Sequence, residues 1–260
     1  MSRVTRQPFA KKSLGQNFLV DHGYIRKIIA SADPQPSDTI IEIGPGRGAI
    51  TDELVDSGAN VIAIELDREL APELAERFSD NPNFAIVEAD ATQIDYPELV
   101  GGKRAKVVAN LPYYVSTSIL QHLATQREHF ASLVLMFQKE VVERITASPG
   151  NSERGYLTVL SELAFSVERL FDVPPNAFQP VPKVISTVAR LTPKPKRDID
   201  ENRFRELVGI AFSQKRKTIL NNLKSHYPDA REKLERSGID VSRRAESLAL
   251  EEWFDLFGRL

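Results

Sequence analysis

Cysteine is absent from the 260 residues. Its absence removes disulfides, thiolate zinc sites and a cysteine nucleophile, and it fits a reducing compartment. Histidine is scarce. His22, His122, His129 and His226 are scattered, with no pair at i, i+4 beside a carboxylate, so the sequence offers no metal-ligating pattern. No apolar run approaches the roughly 20 residues of a membrane span, and no membrane partner is expected. Acids are missing from the first 20 residues, where Arg3, Arg6, Lys11 and Lys12 stand. That composition is like a transit peptide. However, the patterned stretch at residues 12–19 begins too early for a cleavable leader, so the N-terminus is read as mature and the protein as cytoplasmic.

What is present is ordinary in bulk and uneven in detail. A hydrophobic content of 42% suits a globular chain, and the length suits one full-sized domain plus a smaller one. The net charge of −2 divides into +5 over residues 1–32, −13 over 33–100, +3 over 101–192 and +3 over 193–260. Such asymmetry marks either a polyanion-binding face on a chain that is basic outside one block, or two solvated acidic helix faces. Charge alone leaves both open.

Periodicity gives the frame. β-Branched runs predict strands at 39–43, 60–65, 84–88, 106–109 and 133–137. Helices are predicted at 49–57, 68–78, 117–124 and about 139–147. Strand and helix alternate, which implies an α/β fold with a mostly parallel, doubly wound sheet and right-handed crossovers. After a surface loop at 148–152 the pattern changes. Two more strands are expected at 166–173 and 184–191, around the proline-rich turn 174–182. A punctuated linker at 192–197 then leads to short helices. The expected division is a first domain at 1–194 and a small all-helical domain at 195–260, with Trp253, Phe254, Leu256 and Phe257 in the core of the second.

The chemistry concentrates where predicted strands end. Asn110-Leu111-Pro112-Tyr113 follows the apolar run Val107-Val108-Ala109, at the edge of a sheet where ligands usually bind. The Asn110 amide oxygen and the Leu111 carbonyl offer two acceptors for a substrate NH2, Pro112 stiffens the turn, and Tyr113 adds a flat face for stacking. Together they suggest an exocyclic amine on a planar base. An ordinary strand-ending turn is the plainer alternative.

Gly44-Pro45-Gly46-Arg47-Gly48 is a glycine-rich turn between strand and helix, suited to close ligand approach and to negative charge, or simply to a tight turn. It is neither GxGxxG nor a P-loop. Glu65 ends the next strand 17 positions past Gly48, near the spacing at which an acid meets a ribose diol. Asp90 ends the third strand in the same way, and its carboxylate or the backbone of Ala91 can accept from an adenine NH2. Three adjacent strand ends carrying Gly, Glu and Asp argue for an adenosine-bearing cofactor.

These motifs, with Leu14-Gly15-Gln16-Asn17-Phe18-Leu19, Gln138-Lys139-Glu140-Val141-Val142 and Phe178-Gln179-Pro180-Val181-Pro182-Lys183-Val184, resemble the rRNA adenine N6,N6-dimethyltransferase family over residues 11–223 or so. These are S-adenosylmethionine-dependent methyltransferases of the Rossmann-like class, and length and helical tail are most similar to the small-subunit branch. The resemblance implies that Gln16, Asn17, Leu19, Gly44, Gly46, Glu65, Leu66, Asp90, Ala91 and Asn110 hold S-adenosylmethionine, leaving S-adenosylhomocysteine as product. It implies a catalytic group of Asn110, Leu111, Pro112, Tyr113 and Phe178, with Tyr113 stacking on a flipped adenine and Phe178 covering its other side. The implied substrate is a pair of adjacent adenosines in a 3′-terminal hairpin of 16S rRNA within the 30S particle. The implied enzyme is a monomer with a part in subunit biogenesis.

Lys11, Lys12, Lys215, Arg216 and Lys217 are the candidate RNA contacts, each able to neutralise a phosphate. Taken without the family, 215–217 reads first as a solvated turn. Three rivals remain at this point: a large-subunit (23S) adenine methyltransferase of the antibiotic-resistance (Erm) kind, a mainly non-catalytic assembly or nucleic-acid-binding factor, and a DNA methyltransferase. The last is disfavoured because DNA enzymes more often carry Asp-Pro-Pro-Tyr.

Overall fold

The computed structural model describes residues 15–260. The chain divides into two compact units, one of residues up to 139 with 168–193, the other of 140–167 with 194–260.

The first unit is built on a seven-stranded sheet. In chain order its elements are β1 (Phe18–Leu19), α1 (His22–Ala32), β2 (Thr39–Ile43), α2 (Ala49–Asp56), β3 (Asn60–Glu65), α3 (Leu70–Arg77), β4 (Phe84–Glu88), α4 (Tyr96–Leu99), β5 (Ala105–Asn110), α5 (Ser116–Thr125), β6 (Phe130–Gln138), β7 (Phe165–Val173), β8 (Phe178–Gln179) and β9 (Ser186–Pro193). The strand order is β4-β3-β2-β5-β6-β9-β7, with β1 and β8 forming a separate ribbon. Strands β4, β3, β2, β5 and β6 run parallel, and β9 runs antiparallel to β6. The chain winds outward in one direction from β2 and in the other from β5. The crevice between those two carboxyl ends is therefore the topological switch point, where open α/β sheets bind ligands.

The expected mostly parallel sheet is the observed one. Central strands such as β2 are buried along almost their whole length, which is why they read as apolar runs without alternation. Helix α1 was not expected. Asp21 caps it by accepting from Gly23 and Tyr24 N–H, and its buried stripe is Ile25, Ile28 and Ala32. That stripe packs with Ile40, Leu54, Val61, Val108 and Val134 in the core.

The second unit holds α6 (Lys139–Ile145), α7 (Tyr156–Ala164), α8 (Glu201–Ala211), α9 (Ile219–Leu223), α10 (Ala230–Arg236) and α11 (Leu250–Phe257). Its bounds differ from the expected division at 194/195, because 140–167 belongs to it. The reason is packing: Val159 and Leu163 of α7 share one core with Phe204, Leu207, Leu223 and Trp253. Helix α7 is buried nearly all round, so it shows no one-sided period by which to recognise it. The fully buried Arg154 side chain, paired with both oxygens of Glu162 at 2.6 and 2.7 Å, staples the start of α7 to Ala147 and Leu248 carbonyls in the same unit. Trp253 and Leu256 are fully buried, as expected, and Phe254 and Phe257 pack against them.

Candidate active site

The turn after β2 brings backbone close to other chain segments. Gly46 has φ +59°, and a Cβ there would lie 2.9 Å from the Phe18 ring, so only glycine fits. Its N–H donates to Glu65 Oε2 at 3.1 Å, while Asp67 N–H donates to Glu65 Oε1 at 2.9 Å. Glu65 is only 7% exposed. Burial pushes its carboxyl above the usual range, and the two backbone donors partly offset that. Asp67, itself buried, accepts from Gln16 Nε2 at 2.8 Å and from Glu69 N–H. The 15–17 segment is thereby tied to the end of β3.

Asp90 lies two residues beyond β4. Its Oδ1 takes both the backbone and the hydroxyl of Thr92, at 2.8 and 2.7 Å, a local turn that leaves Oδ2 for a ligand. The Ala91 carbonyl already accepts from the buried Tyr96 hydroxyl at 2.9 Å. Of the two acceptors expected there, the Asp90 carboxylate is the better placed.

At the end of β5, Asn110 Nδ2 donates to the Asn17 carbonyl at 3.1 Å. The amide is thus oriented, and its Oδ1 is the atom left to accept. Leu111 N–H donates to Met136 O, and its side chain is buried. Tyr113 is half-buried, and its hydroxyl meets Ser186 Oγ at 2.7 Å. Burial raises the phenol above its ordinary value, and the Ser186 bond opposes that.

One pocket collects these groups. Gln16, Asn17, Gly44, Gly46, Glu65, Leu66, Asp90, Ala91, Asn110, Leu111, Pro112 and Tyr113 all line it. Two expected members do not. Leu19 and Phe178 face each other across the β1–β8 ribbon and are buried in the core, Phe178 at 2% exposure. On so short a strand neighbours point to opposite faces, so Phe18 meets the pocket and Leu19 the core. The covering role expected of Phe178 is accordingly corrected to a packing role in this geometry.

Lys215, Arg216 and Lys217 are exposed in the loop between α8 and α9 of the second unit. Lys11 and Lys12 lie outside the described residues. Sequence reasoning missed Phe18, Tyr114 and Asp67. Phe18 lines the pocket with the Arg47 guanidinium 4.4 Å from its ring centre. Tyr114 is 57% exposed at the rim. Phe18 lies inside a quoted motif, Tyr114 adjoins one, and Asp67 follows Glu65 by two, so proximity in sequence was the available signal. Among the described residues no cluster of three or more metal-ligating side chains occurs, and no helix is long and apolar enough to cross a membrane.

A glycine turn after the first strand of an open parallel sheet, followed by an acid after the second, is the architecture of Rossmann-like folds that hold an adenosine-bearing ligand. Solved structures agree. A dimethyladenosine transferase from Plasmodium falciparum superimposes with a TM-score of 0.78 at 29% identity, covering 92% of this chain and 95% of that one. The 23S rRNA methyltransferase ErmE gives 0.71 at 28%, covering 94% and 99%. The chain belongs to the ribosomal RNA adenine dimethylase family, whose model matches residues 9–260. A ribosomal RNA small subunit methyltransferase A from Saccharophagus degradans is 44% identical over 255 residues, 96% of this chain and 94% of that protein.

Proposed function

We propose that the protein dimethylates N6 of two adjacent adenosines in the 3′-terminal hairpin of 16S rRNA, using S-adenosylmethionine and releasing S-adenosylhomocysteine. The observation that carries the reading is the Asn110 amide, held by the Asn17 carbonyl so that Oδ1 is left to accept. The pocket also fits the cofactor. Glu65 is a buried acid whose two oxygens suit a ribose diol, Asp90 Oδ2 suits an adenine amine, and Leu66 gives an apolar wall. Gln16, Asn17, Gly44, Gly46, Leu66 and Ala91 would complete the cofactor site. When bound, the cofactor supplies a methyl group activated on a sulfonium.

Adenine N6 is a poor nucleophile because its lone pair is delocalised into the ring. Asn110 Oδ1 and the Leu111 carbonyl accept its two N–H bonds, draw them out of plane and localise that lone pair. Tyr113 provides the stacking face, worth about 1–3 kcal/mol per base, against the few kcal/mol needed to extrude one. Pro112 keeps the turn rigid, so the gain is largely one of positioning. The proton leaves after transfer, so no strong base is required.

The names of relatives such as that from Saccharophagus degradans support the small subunit as the target. On this reading the partner is small-subunit rRNA in the 30S particle, the enzyme acts as a cytoplasmic monomer in subunit biogenesis, and Lys215, Arg216 and Lys217 contact phosphates. The likeness to ErmE favours one second reading, a large-subunit target. Incubation with labelled S-adenosylmethionine and either 30S or 50S precursor particles separates the two. Dimethyladenosine should form in the small-subunit RNA, and transfer to the large subunit alone would sink the first reading.

A further inference from the structure

Every residue given a role in chemistry so far faces the pocket or is exposed. Ser186 does neither: it opens β9, is fully buried and lines no part of the pocket. Its hydroxyl nevertheless meets that of Tyr113 at 2.7 Å. The sheet register shows how far this contact reaches. Asn110 on β5 lies beside Met136 on β6, and Met136 lies beside Val188 on β9. Tyr113, three residues past Asn110, therefore crosses the end of β6 to reach β9.

Ser186 is itself a fixed point. It pairs with Gln138 in the ladder. One residue before it, the Ile185 carbonyl accepts from Lys139 N–H at 3.0 Å. One residue after it, Thr187 Oγ1 donates to Asp172 at 2.7 Å. The Tyr113 ring is consequently held at both ends, by the Pro112 turn at its Cβ and by Ser186 at its hydroxyl. Tyrosine χ2 has broad wells, so a ring without the outer bond keeps freedom to rock. A phenol O–H lies in the ring plane by resonance, and a hydrogen bond to it resists that motion.

We propose that Ser186 is a positioning residue, fixing through the Tyr113 hydroxyl the ring plane on which the target adenine stacks. The proposal rests on the stacking reading of Tyr113. It also addresses the second methyl transfer. After the first, N6 has one N–H fewer to give to Asn110 and Leu111, so the aromatic face carries more of the alignment. A loosened ring then harms the second transfer more than the first.

The test compares Ser186→Ala, Tyr113→Phe, the double variant and Tyr113→Ala in the full chain. Labelled S-adenosylmethionine and unmethylated small-subunit particles give the rates, with mono- and dimethyladenosine separated after digestion. A hairpin RNA carrying 2-aminopurine at the target position reports stacking by fluorescence quenching without any turnover. Ser186→Ala and Tyr113→Phe should each slow the second transfer about 3- to 10-fold, the scale of one hydrogen bond. Monomethyladenosine should accumulate and quenching should weaken, with cofactor affinity unchanged. The double variant should be no worse than either single one, because both remove the same bond. Additive losses, or equal slowing of both transfers with full quenching, would overturn the role of Ser186. Wild-type quenching and turnover by Tyr113→Ala would remove the stacking reading itself. A defective Tyr113→Ala beside wild-type Ser186→Ala and Tyr113→Phe would keep stacking and remove only Ser186.

Discussion

The two sides of the pocket are held in different ways. On the cofactor side, Glu65 is fixed by the backbone N–H groups of Gly46 and Asp67, from positions 19 and 2 residues away. On the base side, Asn110 is oriented by a carbonyl 93 residues away and Tyr113 by a hydroxyl 73 residues away. One side is made by neighbouring strands of a βαβ unit. The other is assembled by distant segments that meet only once the sheet is complete. On the proposed reading, binding of the cofactor depends on local geometry, and alignment of the base on the whole of the first unit.

The sharpest break of that contrast is Asn110→Ala. It removes the acceptor proposed for the reacting amine and leaves Glu65 untouched. Turnover on 30S particles should fall roughly 10²- to 10³-fold, the scale seen when one preorganised polar group is deleted. Cofactor affinity, read by calorimetry, should fall by no more than about tenfold, the loss of a hydrogen bond or so. Equal losses in both would show that the two sides are one unit and cancel the distinction.

Glu65→Gln tests the other side. The amide must turn an NH2 toward the Gly46 or the Asp67 N–H, and it no longer presents two charged oxygens to a ribose. Cofactor affinity should weaken roughly 10- to 100-fold, the scale of one charge-assisted hydrogen bond. Turnover at saturating cofactor should stay near the wild type. A lower saturated rate with unchanged affinity would place Glu65 on the base side.

The same contrast explains what could be read from the sequence. The alternation of strands and helices, the Gly44–Gly48 turn, Glu65 and Asp90 lie in consecutive β-α units, where residue spacing maps directly onto strand ends. Asn110 to Tyr113 was legible as a pair of acceptors with a flat ring. Nothing in its surroundings disclosed Asn17 or Ser186 as its partners, because they lie 93 and 73 residues away in the chain. Leu19 and Phe178 were read toward the pocket but pack in the core, because two-residue strands carry too little alternation to tell one face from the other. Helix α7, buried all round, gave no period, and with it went the true bounds of the second unit.

Glu42 offers the gentlest test, because it stands beneath both sides. It pairs with Ala63 on β3 and with Val108 on β5. It is 1% exposed and accepts from the Thr51 hydroxyl at 2.7 Å. Burial, first, and the neighbouring Glu65 and Asp52 carboxylates push it up to about 8, while the Thr51 bond opposes the shift. The folded value lies above the unfolded one, so the folded state binds the proton more tightly. Its contribution to stability is full below about pH 4.5 and is lost as pH rises toward 8. Glu65 is raised as well and adds to the same trend. Wild-type stability should therefore decline between about pH 5 and 8, by about 1–2 kcal/mol once relaxation and water entry are allowed for. Glu42→Gln mimics the protonated form and should flatten most of that decline, leaving the smaller slope of Glu65. Urea titrations at both pH values measure it. Because Glu42 pairs with both strands, Glu42→Gln should reduce the pH dependence of cofactor affinity and of base alignment together. Loss of one without the other would mean that the strands beneath the two sides are not mechanically shared.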